Sequence, residues 1–213
     1  MCIRDSVGSH VIKALSKKSG AQIILARSFD SEIPQNADLQ IINFDSLSSN
    51  KVKLKNDIDH VYLCLGKRLS THELGYMQHS ARESFKLIDF EYPLSIAKLA
   101  YDSGARSIAL VSAVGAQEGS FNYYFHIKGK LENEIKKIGY ENICFARPGH
   151  LLGARKDFRG YEIPILESGL RIAAPFMQGP LKNFRQIEAR QVAERMVMNL
   201  LDKQKGVSYL YYE

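Results

Sequence analysis

SIALVSAVGAQEGSFNYYFHIKGKLENEIKKIGYENICFA, from Ser107 to Ala146, decides how this chain folds. Its two ends, Ser107 to Ser112 and Asn142 to Ala146, are apolar runs of strand length. Between them Tyr124 to Ile138 alternates apolar and charged residues at helical spacing, with no proline. Strand, helix and strand in that order predict a right-handed crossover between parallel neighbours. Ser112 then falls at the carboxyl end of a strand, the edge of an open parallel sheet where ligands bind. Helical spacing sets Tyr124 and Lys128 one turn apart on one face, so a phenol and an ammonium can address one ligand. With 11 Tyr in the chain, a lone Y-x-x-x-K arises about once by chance, so the context after Ser112 carries the reading.

The same alternation extends in both directions. Val7 to Lys18 has a helical pattern that opens on Gly8-Ser9 and closes before Gly20. Strands are predicted at Ala21 to Ala26, ending on Arg27, at Leu39 to Phe44, stopping at Asp45, and at His60 to Leu65, halted by Gly66. A long helical segment runs from about Arg82 to Asp102, broken at most locally near Pro93. After the Arg147-Pro148-Gly149 turn come a helix from about Glu188 to Lys203 and a Tyr-rich end strand. These elements predict an α/β fold: a doubly wound, mostly parallel Rossmann-type sheet with helices on both faces. The expected organisation is one domain over residues 1–213, with about 150–213 forming a small substrate-side cap.

Composition is that of an ordinary globular protein, with 45% hydrophobic and 24% charged residues. The net charge of +6 is spread along the chain and accompanies no helix-turn-helix, zinc finger or RNP-like aromatic motif, so no nucleic-acid partner is expected. No apolar run approaches the roughly eighteen residues of a membrane span. Met1 to Ser6 has no apolar stretch suited to a secretory signal, and a cytoplasmic location is the expectation. Cys2, Cys64 and Cys144 show no metal-ligand spacing and read as free thiols.

Cys64-Leu65-Gly66, Asp89-Phe90-Glu91-Tyr92, Leu110 to Ala116, Asn122-Tyr123-Tyr124 through Lys128-Gly129, Arg147-Pro148-Gly149 with Leu152-Gly153, and Phe184 to Ile187 leading into Val192-Ala193 follow one another in order. Together they resemble the atypical branch of the short-chain dehydrogenase/reductase superfamily, in particular the Tat-interacting-protein oxidoreductases, over about Gly8 to Val197. The resemblance implies hydride transfer between NADP(H) and a small carbonyl or alcohol of unidentified structure. Tyr124 would be the acid or base, Lys128 would bind the nicotinamide ribose and favour the phenolate, and Ser112 would hold the reacting oxygen. A free tyrosine titrates near 10 and needs such a cation at neutral pH. Cofactor contacts are implied at Gly8, Leu65, Gly66, Pro148 and Gly149. Arg27, where an acidic residue would meet the ribose of NAD, favours NADP(H) over NAD(H); a solvated strand end is its other reading. Asp45 resembles the reader of the adenine amino group and reads equally as a turn residue. Lys67 and Arg68 depart from the small hydroxyl residues the family often has. His126 and His150 are checked as alternative acids; His126 should point elsewhere on its helix, and His150 reads more readily as structural. No metal site is expected.

Two further functions stay open: an NADP(H)-binding regulatory or assembly protein without turnover, and a nucleotide-sugar epimerase-like enzyme. The front of the chain departs most from the family. A dinucleotide fingerprint needs a strand and a glycine-rich turn before the helix, and Val7-Gly8-Ser9-His10 retains one glycine. The expectation is an N-terminally incomplete chain, with Met1 to Ser6 foreign or pressed into a substitute strand, a divided sheet and weak cofactor binding.

Overall fold

The computed structural model describes residues 6–18, 20–27, 32–49, 54, 58–67, 69–152, 186–202 and 205–212. Helix α1 (Ser6–Ser16) precedes β1 (Gln22–Ala26) and β2 (Ala37–Ile41). A 3-10 turn (Phe44–Ser49) leads toward β3 (His60–Leu63), then α2 (Thr71–Gly75) and α3 (His79–Lys86). A π-helical turn (Leu87–Glu91) joins α3 to α4 (Tyr92–Asp102). The quoted stretch supplies β4 (Ser107–Val111), α5 (Tyr123–Ile138) and β5 (Asn142–Ala146). Then follow β6 (His150–Leu152), β7 (Gln186–Glu188), α6 (Ala189–Leu201) and β8 (Gly206–Leu210).

β3, β4, β5 and β8 form a four-stranded parallel sheet in that order, with Ser107 opposite both His60 and Asn142. Period-two alternation sends its side chains into two cores. Ile108, Leu110, Ile143 and Phe145 face Phe85, Ile96 and Leu131 of α3, α4 and α5. Ala109, Val111, Cys144 and Ala146 face Val11 of α1 and Val192, Met196 and Leu200 of α6. The expected α/β architecture with helices on both faces is what the chain adopts. Complete burial of Asn142 to Ala146 explains its uninterrupted apolar run.

Local chemistry fixes the ends of α5. The Asn122 side chain accepts from the Tyr124 and Phe125 amides at 2.9 and 3.4 Å, an N-cap worth about 1 kcal/mol. Gly139 closes the helix at φ 107°, where a β-carbon would be strained. The π turn has an equally local cause. Pro93 has no N–H to donate, and the preceding amide of Tyr92 reaches back to the Leu87 carbonyl, one residue beyond α-helical reach.

Two expectations are adjusted, and a third, the divided sheet, is met. The strand expected at Leu39 to Phe44 is Ala37–Ile41, because the Asn43 side chain accepts from the Asp45 amide at 3.0 Å and turns the chain, burying Phe44 against Tyr92. Within the 150–213 stretch expected to cap the sheet, β8 is a strand of the sheet and α6 lies on its face; residues 153–185 fall outside the described residues. The sheet is divided: β1 pairs in parallel with β2 as a separate two-stranded sheet, and among the described residues no strand stands between β1 and β3. The substitute strand expected within Met1 to Ser6 falls on residues outside the described ones, apart from Ser6, which begins α1.

Candidate active site

Parallel strands place their carboxyl ends along one edge, so β3, β4 and β5 deliver Cys64 to Lys67, Ser112 and Arg147 side by side. Over this edge α5 presents Tyr124, Lys128 and Glu132 at intervals of four, one face of the helix.

Lys128 is buried, with 5% of its side chain exposed, and its ammonium lies 2.8 Å from Asp89 Oδ1; that carboxylate is 1% exposed. The π turn carries Asp89. The other carboxylate oxygen accepts the Lys67 backbone N–H at 2.6 Å. One carboxylate thus ties the helix cation to the loop after β3. Two charges this deep are tolerated because each satisfies the other and a backbone donor is added. A β-carbon on Gly66 would meet only Asp89 Oδ1, at 3.5 Å, so packing within the protein does not itself demand glycine there. Tyr124 is half-buried, its ring centroid 5.7 Å from Phe85 and 5.2 Å from Phe125.

Ser112 turns toward the far end of the same helix face. Its hydroxyl donates to Glu132 Oε1 at 2.6 Å, and its backbone N–H donates to Ala146 O at 2.7 Å. Glu132 also receives Arg147 Nε at 3.0 Å and Nη2 at 2.5 Å. Arg147 continues to the Ala116 carbonyl and the Tyr211 hydroxyl, and its guanidinium lies 4.4 Å from the centroid of the Tyr209 ring. Burial works against the Arg147 charge, but the Glu132 carboxylate outweighs it and holds the guanidinium above its ordinary range. Tyr124 and Lys128 therefore share a face as the spacing predicts, while Ser112 is engaged by a buried carboxylate two turns from Tyr124. Asp89, Glu132 and Arg147 carry this electrostatic frame; Asp89 and Arg147 lie in segments that carry the family resemblance, but the sequence reading gave none of the three a role in the site. Glu132 was reachable by extending the Tyr124 and Lys128 spacing one more turn.

The predicted cofactor residues are distributed over the strand ends. Gly8 is buried in the first turn of α1 and lines a cavity. Arg27 is exposed after β1, its guanidinium 5.9 Å from the Phe44 ring centroid. Asp45 Oδ1 accepts a short hydrogen bond from the Tyr92 hydroxyl. Burial first, and that carboxylate second, push Tyr92 up to about 12. Leu65 and Pro148 are buried, and the Pro148 carbonyl accepts the Val114 N–H at 3.1 Å, which pins the loop after Ser112. Gly149 is half-buried. His126 Nδ1 accepts the Gly119 N–H at 3.1 Å and so braces that loop. The His150 side chain falls outside the described residues. Among the described residues, no cluster of His, Cys, Asp or Glu could hold a metal ion, and no helix is long and apolar enough to cross a membrane.

No protein-family profile matches the chain. It is 37% identical over 112 residues to Protein FMP52, mitochondrial, of Candida albicans, a match covering 52% of this chain and 49% of that protein. Against this relative the matched chain spans about half the length. Protein FMP52, mitochondrial, of Candida glabrata is 24% identical over 94% of both chains. Protein HTATIP2 of Rattus norvegicus is 25% identical over 62% of this chain and 51% of that one. Among solved structures, a short chain dehydrogenase family protein from Francisella tularensis superposes with a TM-score of 0.67 at 13% identity, covering 96% of this chain and 92% of that one. MoeE5 in complex with UDP-glucuronic acid and NAD has a TM-score of 0.67 at 11% identity, over 96% of this chain and 72% of that one. The fungal relatives overturn the cytoplasmic expectation: they are named mitochondrial proteins and point to the mitochondrion. The inference failed because it rested on the lack of a secretory apolar core, and mitochondrial leaders are amphipathic and arginine-rich instead.

Proposed function

We propose that this chain, similar to HTATIP2 and sharing a Rossmann-type fold with a short chain dehydrogenase family protein, is an atypical short-chain dehydrogenase/reductase-like, NADP(H)-dependent oxidoreductase acting on a small carbonyl or alcohol. The single observation that carries this reading is the pairing of Tyr124 with a buried, fixed cation one helical turn away. When bound, the nicotinamide supplies the hydride. Gly8, in the first turn of α1, suits a phosphate at a helix N-terminus. Leu65, Gly66, Pro148 and Gly149 would border the same ligand from the ends of β3 and β5, and Arg27 would take the 2'-phosphate of NADP. Asp45, already bonded to Tyr92, would lie beside the adenine amino group.

Tyr124 would donate the proton to the reduced carbonyl, and Lys128 would hold the ribose and stabilise the phenolate left behind. Ser112 has committed its proton to Glu132, so in this state it offers a substrate lone pairs. It can accept from an alcohol, and can donate to a carbonyl only after releasing Glu132. The same commitments favour a second reading, a nucleotide-binding regulatory protein in which Ser112 and Lys128 serve structure.

NADPH and NADH binding by calorimetry, followed by a carbonyl panel with Tyr124→Phe, separates the two. The oxidoreductase reading expects turnover that falls by about 10²-fold or more in the variant with cofactor affinity unchanged. Cofactor binding without any Tyr124-dependent turnover would establish the regulatory reading instead.

A further inference from the structure

Asn122 uses both ends of its side chain. Its Oδ1 caps α5 by accepting the Tyr124 and Phe125 amides, and its Nδ2 donates to the Leu74 carbonyl at 2.7 Å and to the Gly75 carbonyl at 3.3 Å. Amide donors at one end and carbonyl acceptors at the other fix the orientation of the side chain; an aspartate would keep the cap and lose the tie. A second tie lies beside it. Arg82 of α3 donates from Nε to the Met77 carbonyl at 3.0 Å, and its guanidinium lies 4.8 Å from the centroid of the Tyr123 ring. The turn from Leu74 to Met77 is thus held against residues 122 and 123, which run directly into Tyr124.

The loop before Asn122 is braced as well. The Gln117 N–H donates to the Phe125 carbonyl at 3.1 Å, the Gly119 N–H to His126 Nδ1 at 3.1 Å, and the Asn122 N–H to the Ser120 hydroxyl at 3.2 Å. Two aromatic side chains stand on these fixed segments, Tyr76 next to Gly75 and Phe121 next to Asn122. Tyr76 is 62% exposed and Phe121 fully exposed, the most exposed Tyr and Phe among the described residues. Single exposed apolar residues are ordinary. Two that flank one junction, each on backbone already held in place, make a rim that a ligand can cover with little further loss of freedom. The rim adjoins the site: its segments lead into α3 and α5, where Phe85 and Tyr124 meet with ring centroids 5.7 Å apart.

We propose that Tyr76 and Phe121 form an aromatic rim that selects carbonyl compounds carrying an aryl or extended apolar group, and that Asn122 is the positioning residue that holds the rim beside Tyr124. The proposal rests on the oxidoreductase reading above and adds to it the class of substrate.

The probes are 4-phenylbutan-2-one and butan-2-one, which share one ketone and differ by the phenyl group. Each is titrated with NADPH present, binding being read by NMR chemical shifts and turnover by NADPH oxidation. Tyr76→Ala combined with Phe121→Ala should lower the affinity ratio of the phenyl ketone over butan-2-one by about tenfold, the effect of keeping roughly 55 Å² of apolar surface in water. In turnover the loss should fall on KM and leave kcat. Asn122→Asp should speed amide exchange at Leu74 and Tyr76 by about tenfold, leave exchange at Phe125 unchanged because the cap persists, and lower the same ratio. An unchanged ratio in the double variant, or a parent chain that does not prefer the phenyl ketone, would overturn the rim. Unchanged exchange at Leu74 and Tyr76 in Asn122→Asp would overturn the role of Asn122. Binding of the phenyl ketone that depends on Tyr76 and Phe121, without Tyr124-dependent turnover, would support the rim and overturn the oxidoreductase reading alone.

Discussion

Glu132→Ala should be among the most destabilising single changes at the sheet edge. Glu132 is 1% exposed and receives Ser112 at 2.6 Å and two Arg147 nitrogens at 3.0 and 2.5 Å. Removing one partner of a buried ion pair costs about 3–5 kcal/mol, because the other charge stays desolvated. Arg147 retains the Tyr211 hydroxyl, the Ala116 carbonyl and the Tyr209 ring, and its side chain is 17% exposed. These place the cost at the lower end, about 3 kcal/mol. At roughly 2–4 °C per kcal/mol for a domain of this size, Tm should fall by about 6–12 °C. Urea unfolding at pH 7 gives the free energy directly. The comparison is Glu132→Leu with Arg147→Met, which removes both charges together and should cost less than Glu132→Ala, since an apolar replacement of a whole buried pair is often neutral. A loss below about 1 kcal/mol for Glu132→Ala, or a double variant worse than the single one, would refute the view that this carboxylate compensates a buried cation.

Gly129→Ala should destabilise by about 3 kcal/mol or more, read by the same urea titration, because its β-carbon would fall on the backbone of Gln117 and Glu118. Arg27→Ala should erase most of any NADPH preference, about tenfold in the affinity ratio over NADH; an unchanged ratio by calorimetry would remove Arg27 from the phosphate site. Burial pushes the Cys144 thiol up to about 11, so it should resist a thiol reagent at pH 8 until the protein unfolds. The same shift gives the sign of a pH effect: the folded state holds the proton more tightly, so this group's contribution is complete below the unfolded thiol's pKa and is lost as pH rises through about 11. Unfolding free energies from pH 8 to 11 should therefore decline for the parent chain and decline less for Cys144→Ala.

The central crossover was legible because its signals are local or fully buried. Ile108 to Val111 and Ile143 to Ala146 are apolar without interruption since both faces are covered, and Tyr124 and Lys128 are bound together by helical spacing alone. Helix α2 escaped notice because five mostly polar residues are held by a capping box between Ser70 and Glu73, too short to show periodicity. The π turn follows from Pro93, yet its consequence, a buried carboxylate at Asp89 facing Lys128, joins residues 39 apart in sequence. Ser112 was placed correctly at its strand end, but its hydroxyl partner lies 20 residues away on α5. A motif gives the residue types at a site; the direction of a hydroxyl depends on which buried acceptor competes for it.

The two buried ion pairs on α5 change what the Tyr124 and Lys128 motif implies. A cation assists proton loss from a neighbouring phenol through its field, and that field is reduced when a carboxylate sits 2.8 Å from the ammonium. Asp89 thus holds Lys128 in place and also cancels part of the charge that would make Tyr124 a base. That favours carbonyl reduction over alcohol oxidation as the direction in which the proposed activity is first sought. It also assigns Asp89 two opposed effects, fixing the cation and weakening its field. Glu132 exerts a parallel control over Ser112, by taking the proton that the serine would otherwise offer to a carbonyl.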